Sequence, residues 1–267
     1  VNGAPYWRPA RTDDGSWTLL HPLHGEACHS LAGALTQARE RYASQIAARA
    51  ADGLAGGRLR LLDIGTGLAL NLSAALEACE SQGLALEAVS LEWDLEVPRS
   101  ALLLAREHGP ASPAHARVLA ALERVLSAAA EGAPELPLEI ATLAGHGAST
   151  LRLVAGDARA TLPALDPGLA FDVVFLDPFS PRVDPPLWEE PFLAEVARRM
   201  APLARLSTYT TSMRVRSGLV RAGLAVGAGP RVGRKAEGTL ASRGGTVPPL
   251  AGRIQRRLER ARLRPAP

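Results

Sequence analysis

A chain of 267 residues, 47% hydrophobic with a formal net charge of +3, is long enough to bury the core of one large α/β domain plus extensions. No run approaches the roughly 18 consecutive apolar residues of a membrane span, and the opening "VNGAPYWRPARTDDGSW" lacks the basic, apolar, small-residue order of a signal peptide, so the expectation is a soluble, cytoplasmic protein with no membrane partner. Cys28 and Cys79 lie far apart without C-x-x-C spacing, which argues against a disulfide framework and a thiolate site, so no metal is expected.

Residues 1–57 read as an N-terminal extension with a lead-in helix. "RLRLLDI" (Arg58 to Ile64) is a short apolar run, and in the following "GTGLALNLSAALEACE" Leu68, Leu72, Ala75, Leu76 and Cys79 recur at helical spacing. The pattern is strand, glycine turn, helix. "LALEAVSLEW" (Leu84 to Trp93) reads as a second strand ending in an acid, and "PRSALLLAREHG" as its helix, with Pro98 near the first turn and Gly109 as the stop. "ALERVLSAAAEGAPELP" suggests an inserted helix and turn. "TLRLVAGDA" (Thr150 to Ala158), "FDVVFLD" (Phe171 to Asp177) and "ARLSTYT" (Ala204 to Thr210) are the third to fifth strands. Strands alternating with helices predict a Rossmann-like α/β domain over 58–244, a mostly parallel twisted sheet with helices on both faces. "GTVPPLAG" (Gly245 to Gly252) reads as a linker that opens a basic tail, 245–267.

Charge is uneven along this order. From Arg205 onward fourteen basic residues face two acidic ones, a net of +12, so the rest of the chain carries −9. A cationic third on an acidic body suits a polyanionic partner such as nucleic acid, although a solvated arm has the same composition.

Ligands of such sheets sit at the carboxyl ends of the strands. The first of these ends is Asp63, Ile64, Gly65, Thr66, Gly67, where Gly65 and Gly67 allow a ligand close to the backbone and the next helix offers free N–H groups. Glycine turns of this kind occur in many α/β folds. The second strand ends at Glu92, where a carboxylate takes the two hydroxyls of a ribose in dinucleotide folds; a solvated strand-end glutamate is the alternative. The third ends at Asp157, beside the small Gly156 and Ala158, an acid suited to an adenine amino group. Three acids closing three strands after a glycine turn is the order of an S-adenosylmethionine (SAM) site. A dinucleotide fold more often has a third glycine where this chain has Leu70. Asp63, Gly65, Gly67, Glu92 and Asp157 are therefore assigned to the cofactor.

The fourth strand runs into "FLDPFSPRVDPPLW". Asp177 ends it in the cleft, and Pro178 and Pro181 prevent a helix, so the loop is expected to lie extended across the site. Phe179 and Trp188 would stack on a planar ring while Asp177 accepts hydrogen bonds from an amine. In the other reading Phe179 and Trp188 are core residues and Asp177 caps the next helix.

These segments resemble a known family, the methyltransferase part of the bacterial tRNA wobble-uridine modification protein MnmC and its stand-alone relatives called MnmD, over about Ser16 to Ser242. "FDVVFLDPFSPRVDPPLW" is similar to the family's F-D-x-x-F-L-D-x-F-x-P-x-x-[ND]-P-x-[LM]-W. "STYTTSMRVRSGLVRAGLAVGAGPRVGRKAEGTLAS" is similar to its later strand, helix and G-x-G-R-K-R-E strand, and "GEACHSLAGALTQARERY" to a segment near the start of stand-alone members, with Cys28 in a tyrosine position. The resemblance implies a SAM-dependent tRNA methyltransferase converting 5-aminomethyl-(2-thio)uridine to 5-methylaminomethyl-(2-thio)uridine, in the form without the FAD domain of bifunctional relatives. It implies Gly65 and Gly67 in the cofactor loop, Glu92 at the ribose, Asp157 at the adenine and Asp177 at the amine; Arg234 and Lys235 are retained as substrate contacts. Asn71 is displaced by two positions from the family's asparagine and is given no role. "LDPF" replaces the commoner L-D-[GA]-F. The remaining alternatives are another nucleobase or protein N-methyltransferase with a D-P-F loop, a polyamine aminopropyltransferase, and a non-catalytic RNA-binding relative.

Overall fold

The computed structural model describes residues 6–130, 138–140, 148–232 and 237–262. The chain opens with a two-stranded antiparallel ribbon, β1 (Arg8–Arg11) and β2 (Trp17–Leu20). A continuous helical run follows: α1 (Ala34–Gln37), a π-helical stretch over Ala38–Ala43, and α2 (Ser44–Ala51). Then come β3 (Arg58–Ile64), α3 (Leu70–Ser81), β4 (Ala85–Glu92), α4 (Glu96–His108), α5 (Pro113–Ala130), β5 (Leu138–Ile140), β6 (Ser149–Ala155), α6 (Ala158–Ala164) and β7 (Phe171–Leu176). The last elements are α7 (Glu190–Arg198), β8 (Met200–Thr208), α8 (Met213–Arg221), β9 (Ala225–Ala228), β10 (Thr239–Ser242) and α9 (Gly252–Arg262).

The eight-stranded sheet has the order β5-β6-β4-β3-β7-β8-β10-β9. Its centre, β6-β4-β3-β7-β8, is parallel, while β5, β10 and β9 pair antiparallel at the edges. The alternation of side chains along each strand divides the core in two. Leu59, Leu61, Leu86, Ala88, Val173 and Phe175 face α3, α4 and α5, whereas Leu62, Ile64, Val89, Leu91, Val174 and Leu176 face α6, α7 and α8. Strand order reverses between β3 and β7, which opens a crevice at their carboxyl ends. Gly109 stops α4 with a φ of 84°, as expected from a helix-ending glycine.

Both terminal segments contribute to the core. The basic tail is not a solvated arm: α9 packs on α8, burying Leu258 fully and Ile254 partly, with Leu250 buried just before it. Burial of a leucine contributes roughly 1.5–3 kcal/mol to holding the segment against α8. The N-terminal segment, in turn, contributes Leu19, Tyr42 and Ile46 to the first core cluster. No described helix is long and apolar enough to cross a membrane.

Candidate functional site

The crevice is a cavity of about 950 Å³, the size of a small-molecule or nucleoside site. At its floor β3 and β7 come together, with the Asp177 N–H donating to the Ile64 carbonyl at 3.0 Å. Gly65, at φ 93°, is required there: a Cβ would lie 2.8 Å from the Asp177 carbonyl oxygen. Gly67 is also left-handed, at φ 54°, and its N–H donates to Glu92 Oε2 at 3.0 Å. The other oxygen, Oε1, accepts from the Asp94 N–H at 3.0 Å. Burial pushes the Glu92 carboxyl up to about 6, against these backbone donors. Each Glu92 oxygen keeps one lone pair.

Asp177 is held differently. Tyr42 donates its phenol to Oδ1, and Asn71 Nδ2 donates to Oδ2 at 2.8 Å. Burial pushes its carboxyl up to about 7, against the bonds from Tyr42 and Asn71 and the positive charge of Arg41. Asp157 caps α6, accepting from the Arg159 N–H at 2.9 Å and pairing with its guanidinium at 2.6 Å. The Arg159 hydrogen bond holds that carboxyl below its usual range. All three acids line the cavity.

The loop after Asp177 is pinned from three sides. Glu26 accepts from the Ser180 N–H at 2.7 Å and from Ser180 Oγ at 2.6 Å, and the Tyr209 hydroxyl donates to the Pro178 carbonyl at 3.1 Å. Trp188 Nε1 donates to the Phe179 carbonyl at 2.7 Å. The Phe179 ring lies near-parallel to Trp7 (5.8 Å, 21°) and edge-on to His21 (5.1 Å), and all three line the cavity.

Residues 121–244 match the family described as S-adenosyl-L-methionine-dependent methyltransferase. The chain is 44% identical over 87 residues to the tRNA 5-methylaminomethyl-2-thiouridine biosynthesis bifunctional protein MnmC of Pseudomonas paraeruginosa, a stretch that is 33% of this chain and 13% of that protein. For the protein of the same name in Pseudomonas putida the figures are 41% over 111 residues, 42% of this chain and 16% of that one. The chain thus spans a minor part of these relatives. The crystal structure of MNMC2 from Aquifex aeolicus is similar over 97% of this chain and 77% of that one, with a TM-score of 0.74 and 28% identity. This chain shares the fold of that structure.

Within this fold the family match covers Asp157, Asp177 and Phe179, while Gly65, Gly67 and Glu92 precede it. The residues at the cavity fit SAM. The backbone at Gly65 and Gly67 has no side chain in the way, and the free lone pairs of Glu92 suit a vicinal diol.

Two assignments need correction. Asp63 is fully buried and does not line the cavity; its Oδ2 accepts from Ser90 Oγ at 2.7 Å, and Ser90 Oγ is 2.7 Å from Thr66 Oγ1, so it braces the glycine turn from below. Trp188 is also buried and absent from the cavity wall, because the 3₁₀ turn Pro185–Trp188 directs the indole into the second core cluster. The loop is correspondingly less extended than expected: the Val183 and Asp184 N–H groups both donate to the Ser180 carbonyl, making a turn before the 3₁₀ segment. Arg234 and Lys235 lie outside the described residues.

Sequence reasoning missed Tyr42, Asn71, Glu26 and Trp7. The displaced spacing hid Asn71, and Tyr42 ends the "GEACHSLAGALTQARERY" stretch with nothing local to link it to Asp177. The π-helical stretch that contains Tyr42 is a backbone feature with no sequence signature, of a kind enriched at functional sites.

Proposed function

We propose that this chain is a SAM-dependent N-methyltransferase acting on tRNA, converting the 5-aminomethyl group of wobble (2-thio)uridine to 5-methylaminomethyl. The observation that carries the reading is Asp177, a carboxylate at the switch point of the sheet, each oxygen already oriented by one side-chain donor and each keeping a lone pair for an amine. The names of the MnmC relatives supply the substrate class.

Glu92 would accept from the ribose hydroxyls of the cofactor, with its carboxylate fixed by the Gly67 and Asp94 N–H groups. When bound, the cofactor supplies an electrophilic methyl group for transfer to nitrogen. Asp177 accepts from the substrate amine, aims its lone pair and stabilises the positive charge that develops on it. A primary alkylamine has a pKa near that of lysine, about 10, so the site must favour proton loss before attack. An anion works against that, and enclosure by Phe179, Trp7 and the pinned loop works for it through desolvation. Phe179, with Trp7 and His21, offers an aromatic surface for a splayed base.

The basic C-terminal third divides into two groups. Arg205, Arg216 and Arg221 pair with Asp52, Glu237 and Glu190, and Arg243 donates to the Met200 carbonyl at 2.6 Å. Arg253, Arg256, Arg257, Arg260 and Arg262 are exposed on α9 and are available to phosphates. The protein then works in the cytoplasm with its tRNA. The test is mass spectrometry of tRNA nucleosides from cells lacking this chain. Loss of 5-methylaminomethyl nucleosides with accumulation of the aminomethyl form supports the proposal, and an unchanged profile sinks it.

A further inference from the structure

Four arginines are buried in the described residues: Arg41, Arg49, Arg199 and Arg216. Three of them have carboxylate partners. Arg49 pairs with Asp172 at 3.1 Å, Arg199 with Glu195 at 3.0 Å and Arg216 with Glu237 at 3.5 Å. Arg199 also donates to the Pro163, Leu165 and Asp166 carbonyls, and Arg216 to Thr239 and the Gly238 carbonyl.

Arg41 breaks the pattern. It is 3% exposed and lines the cavity, yet among the described residues it forms no ion pair. Its Nε is without a partner, and Nη1 reaches only the Tyr209 carbonyl, at 3.5 Å. The guanidinium packs against the backbone at Gly238, where a Cβ would lie 2.2 Å from Nη1. Arg41 precedes Tyr42 in the π-helical stretch, and its charge is felt by Asp177 and Tyr42 without a bond to either carboxylate oxygen. A buried guanidinium left short of partners destabilises the ligand-free protein. Its planar fork of donors matches a carboxylate or a phosphate.

We propose that Arg41 is the receptor for an anionic oxygen group of a ligand in this cavity, either the carboxylate at the amino-acid end of the cofactor or a phosphate of the substrate nucleotide. This deepens the proposed function and rests on its reading of the cavity as the cofactor and nucleotide site. Both sources present the same chemistry, two or three anionic oxygens on one atom, and two binding comparisons separate them.

The first compares SAM with decarboxylated SAM by calorimetry. The second compares uridine 5′-monophosphate with uridine, each added to protein saturated with S-adenosylhomocysteine. In one of these pairs the parent protein is expected to prefer the member that carries the carboxylate or phosphate by about tenfold to a hundredfold, and Arg41→Met is expected to abolish that preference while leaving affinity for the member that lacks it unchanged. Arg41→Lys, which keeps a point charge but not the fork, should restore part of it, and it serves in place of Arg41→Met should that variant not fold. The ligand-free Arg41→Met protein should melt at or above the parent temperature, because the group it removes has no carboxylate partner among the described residues and only one long hydrogen bond, to the Tyr209 carbonyl. Equal preferences in parent and variant in both pairs overturn the inference, as does a lowered melting temperature with both preferences intact, which marks a structural arginine. Failure of the parent to bind SAM at all would sink the cofactor reading instead, and the nucleotide pair would still report on Arg41. Unmodified tRNA in the cell leaves both comparisons standing.

Discussion

Glu92 and Asp177 are two acids at strand ends in one cavity, both raised by burial and both accepting two hydrogen bonds. They differ in where those bonds come from. Glu92 is held by the backbone N–H groups of Gly67 and Asp94, which any sequence folding into this turn supplies. Asp177 is held by the side chains of Tyr42 and Asn71, from a helical run and a helix remote in sequence. Backbone donors make a fixed binding group, whereas side-chain donors make one whose charge and aim a single substitution can change. The difference suits a constant cofactor at one acid and a reacting amine at the other.

The largest expected effect breaks the comparison at its reactive end. Asp177→Asn keeps the shape and removes the charge that stabilises the forming ammonium, at a cost of about 2.7–4 kcal/mol, by analogy with loss of one preorganised electrostatic group. Turnover should fall by roughly a hundredfold to a thousandfold, with SAM affinity by calorimetry nearly unchanged. Weakened SAM binding with intact turnover would move Asp177 into the cofactor site.

Glu92→Ala should do the reverse. Loss of charged hydrogen bonds to the ribose raises the SAM dissociation constant by about tenfold to a hundredfold, while turnover recovers at saturating cofactor. Single-turnover kinetics over a SAM series distinguishes the two outcomes.

A smaller effect sharpens the contrast through pH. Asp177 acts as a carboxylate, so kcat should fall as pH drops through about 7, and SAM affinity should fall lower, through about 6, as Glu92 takes up its proton. Tyr42→Phe removes a donor that favours the charged form of Asp177 and should therefore move the kcat limb to higher pH, leaving the affinity limb in place. At pH 7 the variant should be several-fold slower, on the scale of about 1 kcal/mol for one hydrogen bond, and should recover as pH rises. A uniform loss at every pH would mean that Tyr42 serves packing alone.

The smallest effect concerns the loop. Trp188→Phe keeps the buried ring but leaves the Phe179 carbonyl without its donor, which should lower stability by about 1 kcal/mol in denaturant titration and raise KM for tRNA more than it lowers kcat. An unchanged KM would show that the loop holds its shape through Glu26 and Tyr209 alone.

Much of this was legible in the chain. Period-two runs ending in an acid, with glycine where φ must be positive, located β3, β4, β6 and β7 and the acids at Glu92, Asp157 and Asp177, because these are local properties of a strand and the turn after it. What local pattern could not decide was the direction of a side chain. Asp63 and Trp188 have the right residue type in the right segment, yet the pleat turns one under the glycine loop and the 3₁₀ turn sends the other into the core. The tail shows the same limit: Leu250, Ile254 and Leu258 are sparse among arginines, and only the α8 surface makes them a buried face.

The sequence by itself located the sheet's central strands, the glycine turn and the acids that close those strands, since each follows from residues within a few positions of one another. The tertiary structure alone decided what each acid does. Tyr42 and Asn71 reach Asp177 from 135 and 106 positions away, and the packing of the π-helical stretch against the end of β8 leaves Arg41 with no carboxylate partner among the described residues. Such contacts are set when elements remote in the chain are brought together, and hydrogen-bond geometry over a few ångströms then fixes the charge, the aim and the unmet valence of the group.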